Sequence, residues 1–179
     1  YNDDRASWSD FPIDLKEIAH EKFLPNLITL VRSITCDNGK TRKDLWRLHD
    51  GVLVESVLMR YTDRATVCIS SQAGCGMNCP FCATGQAGLT RNLSAGEITA
   101  QVVAAAKTCA TGELPGGPIR LSNVVFMGMG EPLANLEALK TSIQCLTNQS
   151  WGLGWSPKRI TVSTAGLASR LRDVSELGV

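Results

Sequence analysis

Residues 65–98 read ATVCISSQAGCGMNCPFCATGQAGLTRNLSAGEI, and this stretch decides the fold. It opens with a β-branched run, ATVCIS, that reads as a strand. A long loop follows that carries Cys75, Cys79 and Cys82 in a C-x3-C-x2-C run. The loop ends at Ser94, where Ser94 and Glu97 form an S-x-x-E capping box whose side chains each satisfy a free backbone N–H of the other, so a helix starts there. Ile98, Val102, Ala105 and Cys109 then fall on one stripe of that helix. Further along, LSNVVFMGM reads as a second strand and residues 135 to 148 as a second helix, with Leu136, Leu139, Ile143 and Leu146 on its buried face. RITVST makes a third strand before a final short helix. Repeated β/α alternation of this kind implies a parallel sheet covered by helices.

Upstream the grammar differs. Residues 11 to 32 carry apolar side chains near three- and four-residue intervals and read as a helix interrupted at Pro25. DLWRL and VLVESVLMR, joined at His49-Asp50-Gly51, read as a β-hairpin, because glycine tolerates the positive φ of a tight turn. In its second strand, alternation places Val52, Val54, Ser56 and Leu58 on one face and Leu53, Glu55, Val57 and Met59 on the other. Glu55 is thereby a carboxylate on a mostly apolar face.

With 179 residues the chain has room for one domain and a small appendage. A hydrophobic fraction of 44% and a charged fraction of 20% are those of a packed globular protein, not a disordered one. A formal charge of +1 announces no polyanionic partner. No apolar run is long enough to span a bilayer and YNDDRASWSD lacks the features of a signal peptide, so a cytoplasmic protein with no membrane association is expected. Seven cysteines are an odd number, and three of them crowd into eight residues. That pattern suits a metal or cluster site in a reducing compartment better than a disulfide framework.

Three thiolates on one loop, with Gly74 and Gly76 relaxing the backbone, can wrap one face of an iron–sulfur cubane and leave one iron without a protein ligand. S-adenosylmethionine can chelate such an iron, whose electron then cleaves the sulfonium. A structural zinc site with Cys68 as fourth thiolate is the alternative, although zinc sites favour paired ligand spacings. Inert buried cysteines fit a Gly- and Pro-containing loop poorly. Cys36, Cys109 and Cys145 read as small packing residues. His20 and His49 have no ligand-like neighbours in the sequence. Arg42, Lys43, Arg47 and Arg91 are cations that could meet nucleic-acid phosphates, or form an ordinary solvated face.

The C-x3-C-x-Φ-C pattern, with Phe81 as the aromatic, resembles the signature of the radical S-adenosylmethionine superfamily. The surrounding CISSQAGCGMNCPFCATGQAGLTRNLSAGEI, with GMGEPLANL and ITVSTAGL downstream, resembles its RlmN/Cfr family of adenine-modifying RNA methyltransferases from about residue 30 onward. The resemblance implies a [4Fe-4S] cluster on Cys75, Cys79 and Cys82, and contacts to S-adenosyl-L-methionine from Gly130, Glu131 and Ser163. Taken alone, Gly128 and Gly130 would be turn residues and Ser163 a strand-end hydroxyl. It further implies that Glu55, in VESV, accepts a proton and that Cys68, seven residues before Cys75, resolves a covalent enzyme–RNA intermediate. Without the resemblance, Cys68 would be a small core residue and Glu55 an edge carboxylate reaching solvent.

The expected fold is α/β: a partial radical SAM (β/α) barrel, residues 63–179 supplying the first three β/α units of a six-unit barrel, preceded by a helical and β-hairpin accessory segment at 1–62. By resemblance the reaction is C2-methylation of adenine in 23S ribosomal RNA and transfer RNA through a methyl-bearing cysteine near the family's C-terminus, with an external electron donor and no obligate protein partner. That carrier position has no counterpart here, so the chain alone is expected to transfer no methyl group. C8-methylation of the Cfr type, or a non-catalytic metal- or RNA-binding module, are the alternatives.

Overall fold

One six-stranded sheet organises the computed structural model, which describes residues 26–175 and 177–179, and buried and half-exposed residues alternate along its inner strands. Strands β1 (Ile28–Cys36), β2 (Thr41–Leu48) and β3 (Leu53–Arg60) form an antiparallel meander. β3 then pairs antiparallel with β4 (Ala65–Cys68), so the sheet runs unbroken across residues 62 and 63. Beyond β4 the pairing turns parallel, through β7 (Leu121–Phe126) to β8 (Ile160–Val162). The parallel strands are the three read from the sequence.

The expected helix over 11 to 32 is corrected in its last part, where β1 occupies Ile28–Cys36. Ile28, Thr29, Val31, Ile34 and Thr35 are β-branched, stiff at χ1 and suited to a strand, and β2 offers an antiparallel ladder from Ile28↔Leu48 to Cys36↔Thr41, broken only by a register shift at Val31. Residues 11–25 of that expectation lie outside the described residues. The hairpin turn is as read: Gly51 has φ 85° and its N–H donates to Leu48 O, 3.0 Å. The long loop between β4 and the capped helix is also corrected. It contains β5 (Gln72–Gly74), a one-turn helix α1 (Ala83–Gln86) and β6 (Leu89–Asn92), with β5 and β6 paired as an antiparallel ribbon.

Helix α2 (Ala95–Thr111) starts on the expected capping box and ends at Gly112, left-handed at φ 73°. Helix α3 (Leu136–Thr147) follows β7, and the short α4 (Leu171–Val174) follows β8. Ile98 and Val102 of α2 and Leu139, Ile143 and Leu146 of α3 join Val54, Leu58, Val67, Val124 and Phe126 of the sheet in one core. Each such side chain contributes about 1.5–3 kcal/mol on burial. Ser56, the polar member of the buried β3 face, accepts from Trp46 Nε1 at 2.8 Å, which removes the cost of an orphaned hydroxyl. The opposite face stays half exposed, with Glu55, Val57, Thr66, Cys68 and Val125 on it.

Arg91 of β6 ties the ribbon to both neighbours. Its guanidinium forks onto Glu97 (2.8 and 3.0 Å) and onto Asp50 in the hairpin turn (2.6 Å). The Arg91 hydrogen bond holds the Asp50 carboxyl down from 3.8 to about 2. At Glu97 burial pushes the carboxyl up, but the Arg91 and Ser94 bonds outweigh it and the net direction is down. Carboxyls depressed in the folded state add stability above their unfolded pKa and lose it as the pH falls through the folded value. Thermal melts should therefore show a falling Tm as the pH drops from about 4 to about 2. Arg91→Gln should lower Tm at neutral pH and flatten that acid slope; an unchanged slope would mean the clasp does not set acid stability.

Candidate active site at the carboxyl ends of the strands

Where β4 ends, Ser70 and Ser71 are buried without continuing the ladder, and buried Gln72 opens β5. Their backbone groups need other partners. Gln101 of α2 supplies two, its Oε1 accepting from Ser70 N (2.9 Å) and its Nε2 donating to Ser70 O (3.0 Å). Met129 O accepts from the N–H groups of Ser71 (2.9 Å) and Gln72 (3.1 Å). Asn135 Nδ2 donates to both Ser71 O and Leu93 O at 2.8 Å. The sequence reading missed these residues. Their signal was a buried-stripe position: Gln101 lies three residues after Ile98, and Asn135 adjoins Leu136.

The GMGEP segment packs directly onto that junction. Gly128 N donates to Ile69 O at 3.0 Å, and a Cβ at Gly128 would sit 2.6 Å from the same oxygen. Gly130 has φ 98°, and a Cβ there would fall 2.7 Å from Gln72 Cγ and 2.8 Å from Gln72 N. Both glycines are therefore close-approach positions, not loose turns. Glu131 is buried, and its carboxylate accepts from Leu133 N (3.0 Å), Thr164 Oγ1 (2.6 Å) and Ala165 N (2.7 Å). Two of those donors belong to the segment after β8, so Glu131 clasps the ends of β7 and β8 together. Three of about four acceptor sites on the carboxylate are used. Ser163 is exposed beside the clasp.

The cysteine loop hangs from the ribbon. Gly74, at φ 79°, comes so near Gly88 O that no β-carbon fits, and Cys75 N donates to that oxygen at 2.9 Å. Cys82 N donates to Cys79 O at 3.0 Å, so these two residues flank one tight turn. Gly85 lets α1 lie over that turn, since a Cβ there would be 3.1 Å from Cys79 N. All seven cysteines are free; Cys75 is buried, Cys79 and Cys82 half-buried. The three thiols share a loop but, among the described residues, no group of three or more His, Cys, Asp or Glu side chains converges as a ligand set. The donor chemistry suits an iron–sulfur group: three unpaired thiols on one short glycine-hinged loop, with no carboxylate or imidazole in the run.

Cys68 and Glu55 meet on the open face of the sheet. Cys68 opposes Val57 on β3 and Val125 on β7, and Glu55 lies two residues from Val57 on the same face. They are diagonal neighbours, about 7–8 Å apart in a regular ladder. Burial pushes the Cys68 thiol up, partly offset by a hydrogen bond from the Met127 backbone. Glu55 is half exposed and pairs with Lys43 Nζ at 2.9 Å. Other basic residues are engaged as well: Arg42 holds Asp44 and Glu113, each at 2.7 Å, and Arg91 is spent on its clasp. His49 has company that the sequence hid, with Nδ1 3.3 Å from the Glu97 carboxylate. No helix among the described residues is long and apolar enough to cross a membrane.

No family model matches the chain. Curated relatives do. A protein of Streptomyces griseus is 56% identical over 99% of this chain and 49% of its own length. One of Thermobifida fusca is 58% identical over 96% and 47%, and one of Streptomyces coelicolor 61% identical over 89% and 44%. All three are named as a probable dual-specificity RNA methyltransferase RlmN. The chain spans about half the length of the curated relatives it matches. A crystal structure of a radical SAM methyltransferase from Sphaerobacter thermophilus superposes with a TM-score of 0.86 at 41% identity, over 97% of this chain and 49% of that one. Nearly the whole of this chain is thus similar, by sequence, to about half the length of relatives named RlmN and, by fold, to about half of a radical SAM methyltransferase.

Proposed function

We propose that the chain is the cluster- and S-adenosylmethionine-binding part of an enzyme that methylates C2 of adenine in ribosomal and transfer RNA. The observation that carries this reading is the meeting of three strand ends. The cysteine loop follows β4, GMGEP follows β7, STAG follows β8, and hydrogen bonds between Gly128 and Ile69 and between Glu131 and Thr164 lock them into one rim. Ligands of parallel α/β folds gather at that rim. Cys75, Cys79 and Cys82 would hold a [4Fe-4S] cluster, with Gly130, Glu131 and Ser163 the nearby candidates for the S-adenosylmethionine site. Bound there, the pair supplies a one-electron cleavage that yields a radical able to take hydrogen from an unactivated carbon.

Around it the chain's own residues have separable tasks. Gly128 and Gly130 let backbone approach where a side chain would block it. Glu55, on the open face beside Lys43 Nζ, is the candidate proton acceptor. Cys68 is the candidate resolving thiol; its raised pKa keeps it protonated until a base is near. Cys68→Ala should keep its iron and its cleavage of S-adenosylmethionine while turnover of the full-length enzyme stalls. Loss of iron in that variant would instead support a four-thiolate metal site.

The reading as a whole is tested by anaerobic reconstitution with iron and sulfide, followed by mass analysis of adenines from ribosomal and transfer RNA treated with the full-length enzyme. 2-Methyladenine is the expected product. 8-Methyladenine would move the assignment to the Cfr type, and zinc in place of iron and sulfide would sink it.

A further inference from the structure

Gln72 is fully buried and has both ends of its amide engaged. Its Nε2 donates to Asn92 Oδ1 at 2.7 Å, across the ribbon from which the cysteine loop hangs. Its Oε1 accepts from the backbone N–H of Glu131 at 2.8 Å, in the GMGEP segment. The backbone above it is in contact too, since Gly130 lies against its Cβ and Cγ. No other side chain hydrogen-bonds both the β5–β6 ribbon and GMGEP among the described residues. The pairing Gln72↔Asn92 is the first rung of the ribbon, and Gly74 closes on Gly88 two residues further on. Beside the backbone bond from Gln72 N to Met129 O, this amide is the side-chain link that sets the position of Cys75 relative to Gly130.

We infer that Gln72 is a positioning residue that fixes the distance and angle between the cysteine loop and the GMGEP loop, and so sets how S-adenosylmethionine meets the cluster. The inference rests on the proposed placement of those two ligands. The alternative source of alignment is backbone alone, through the bonds that Ser71 N and Gln72 N donate to Met129 O. The Gln72 N bond reaches the first residue of β5, but neither bond engages β6, which the side-chain amide ties in through Asn92. An amide buried between two polar partners is a costly choice unless both bonds form, and an apolar side chain of the same shape would pack without them.

Gln72→Met removes both bonds at similar volume. Gln72→Glu keeps the acceptor for Glu131 N, and rotation of the Asn92 amide, whose O and N ends are interchangeable by a flip, restores the second bond. The first measurement needs no cofactor: amide hydrogen exchange in the unreconstituted chain. At Glu131 it should quicken at least about tenfold in Gln72→Met, the loss of protection expected of a removed hydrogen bond, and return toward wild type in Gln72→Glu. The second uses protein reconstituted with iron and sulfide. Iron content should stay at the wild-type level in Gln72→Met, while the Kd for S-adenosylmethionine rises about tenfold and the ligand-induced change in the spectrum of the reduced cluster shrinks. Gln72→Glu should recover both.

Unchanged exchange at Glu131 in Gln72→Met would overturn the inference. So would loss of iron together with ligand binding, because Gln72 would then serve only to fold the ribbon. Failure of the wild-type protein to take up iron or S-adenosylmethionine would sink the proposed function instead, and the exchange measurement would still decide whether Gln72 couples the two loops.

Discussion

Cys79→Ala should reduce the iron and sulfide taken up on anaerobic reconstitution from a full complement to background, with no matching loss of fold. A cluster held by three protein thiolates has no spare anchor, so removing one leaves too few. The structure separates this loss from unfolding. Cys79 contributes to its surroundings through backbone, with its carbonyl accepting from Cys82 N and its N–H lying under Gly85, and its sulfur takes part in neither. The melting transition of the unreconstituted variant should stay within about 0.5 kcal/mol of wild type, as for a surface substitution. Cys109→Ala is the informative control. That thiol is buried on the core stripe of α2, so its loss should lower Tm and leave the iron count untouched. A Cys79→Ala protein that kept its iron and sulfide would show that the loop cysteines are not the ligands.

What could be read from the sequence was what local chemistry decides. The Ser94–Glu97 capping box, the apolar stripes of the two long helices and the Asp50-Gly51 turn each depend on residues within one or two turns of one another. β1 escaped because its apolar residues happen to recur at helical spacing; only the ladder with β2 decides between strand and helix. The ribbon of β5 and β6 escaped because three- and four-residue strands separated by a cysteine loop carry too little alternation to register. At the site, the family pattern pointed to Glu131 and Ser163, but the clasp made by Thr164 and Ala165 joins residues more than thirty apart in the sequence. Gln72 was invisible for the same reason: a polar residue beside a strand end says nothing about which two loops it will join.

Gly130→Ala should be a strongly damaging single-methyl change in the GMGEP segment. Two costs add there. The residue sits at φ 98°, outside the left-handed region that an L-residue enters at about 1–2 kcal/mol, so strain is at least of that order. The new β-carbon would also lie 2.7 Å from Gln72 Cγ and 2.8 Å from Gln72 N, and nearer still to Gln72 Cβ. Gln72 cannot swing away, because Asn92 holds one end of its amide and Glu131 the other. Overpacking of a core site typically costs about 1–3 kcal/mol more. Gly51→Ala isolates the first cost: its φ is 85°, but nothing lies within 4 Å of the added carbon. With about 2–4 °C of Tm per kcal/mol for a chain of this size, Gly51→Ala should fall by a few degrees and Gly130→Ala by about twice as much or somewhat more. In reconstituted protein, Gly130→Ala should also weaken S-adenosylmethionine binding more than it lowers the iron content, since the displaced segment is GMGEP and not the cysteine loop. Equal Tm losses in the two variants would mean that the approach of Gly130 to Gln72 is not as close as the structure has it, and that GMGEP reaches the rim by another route.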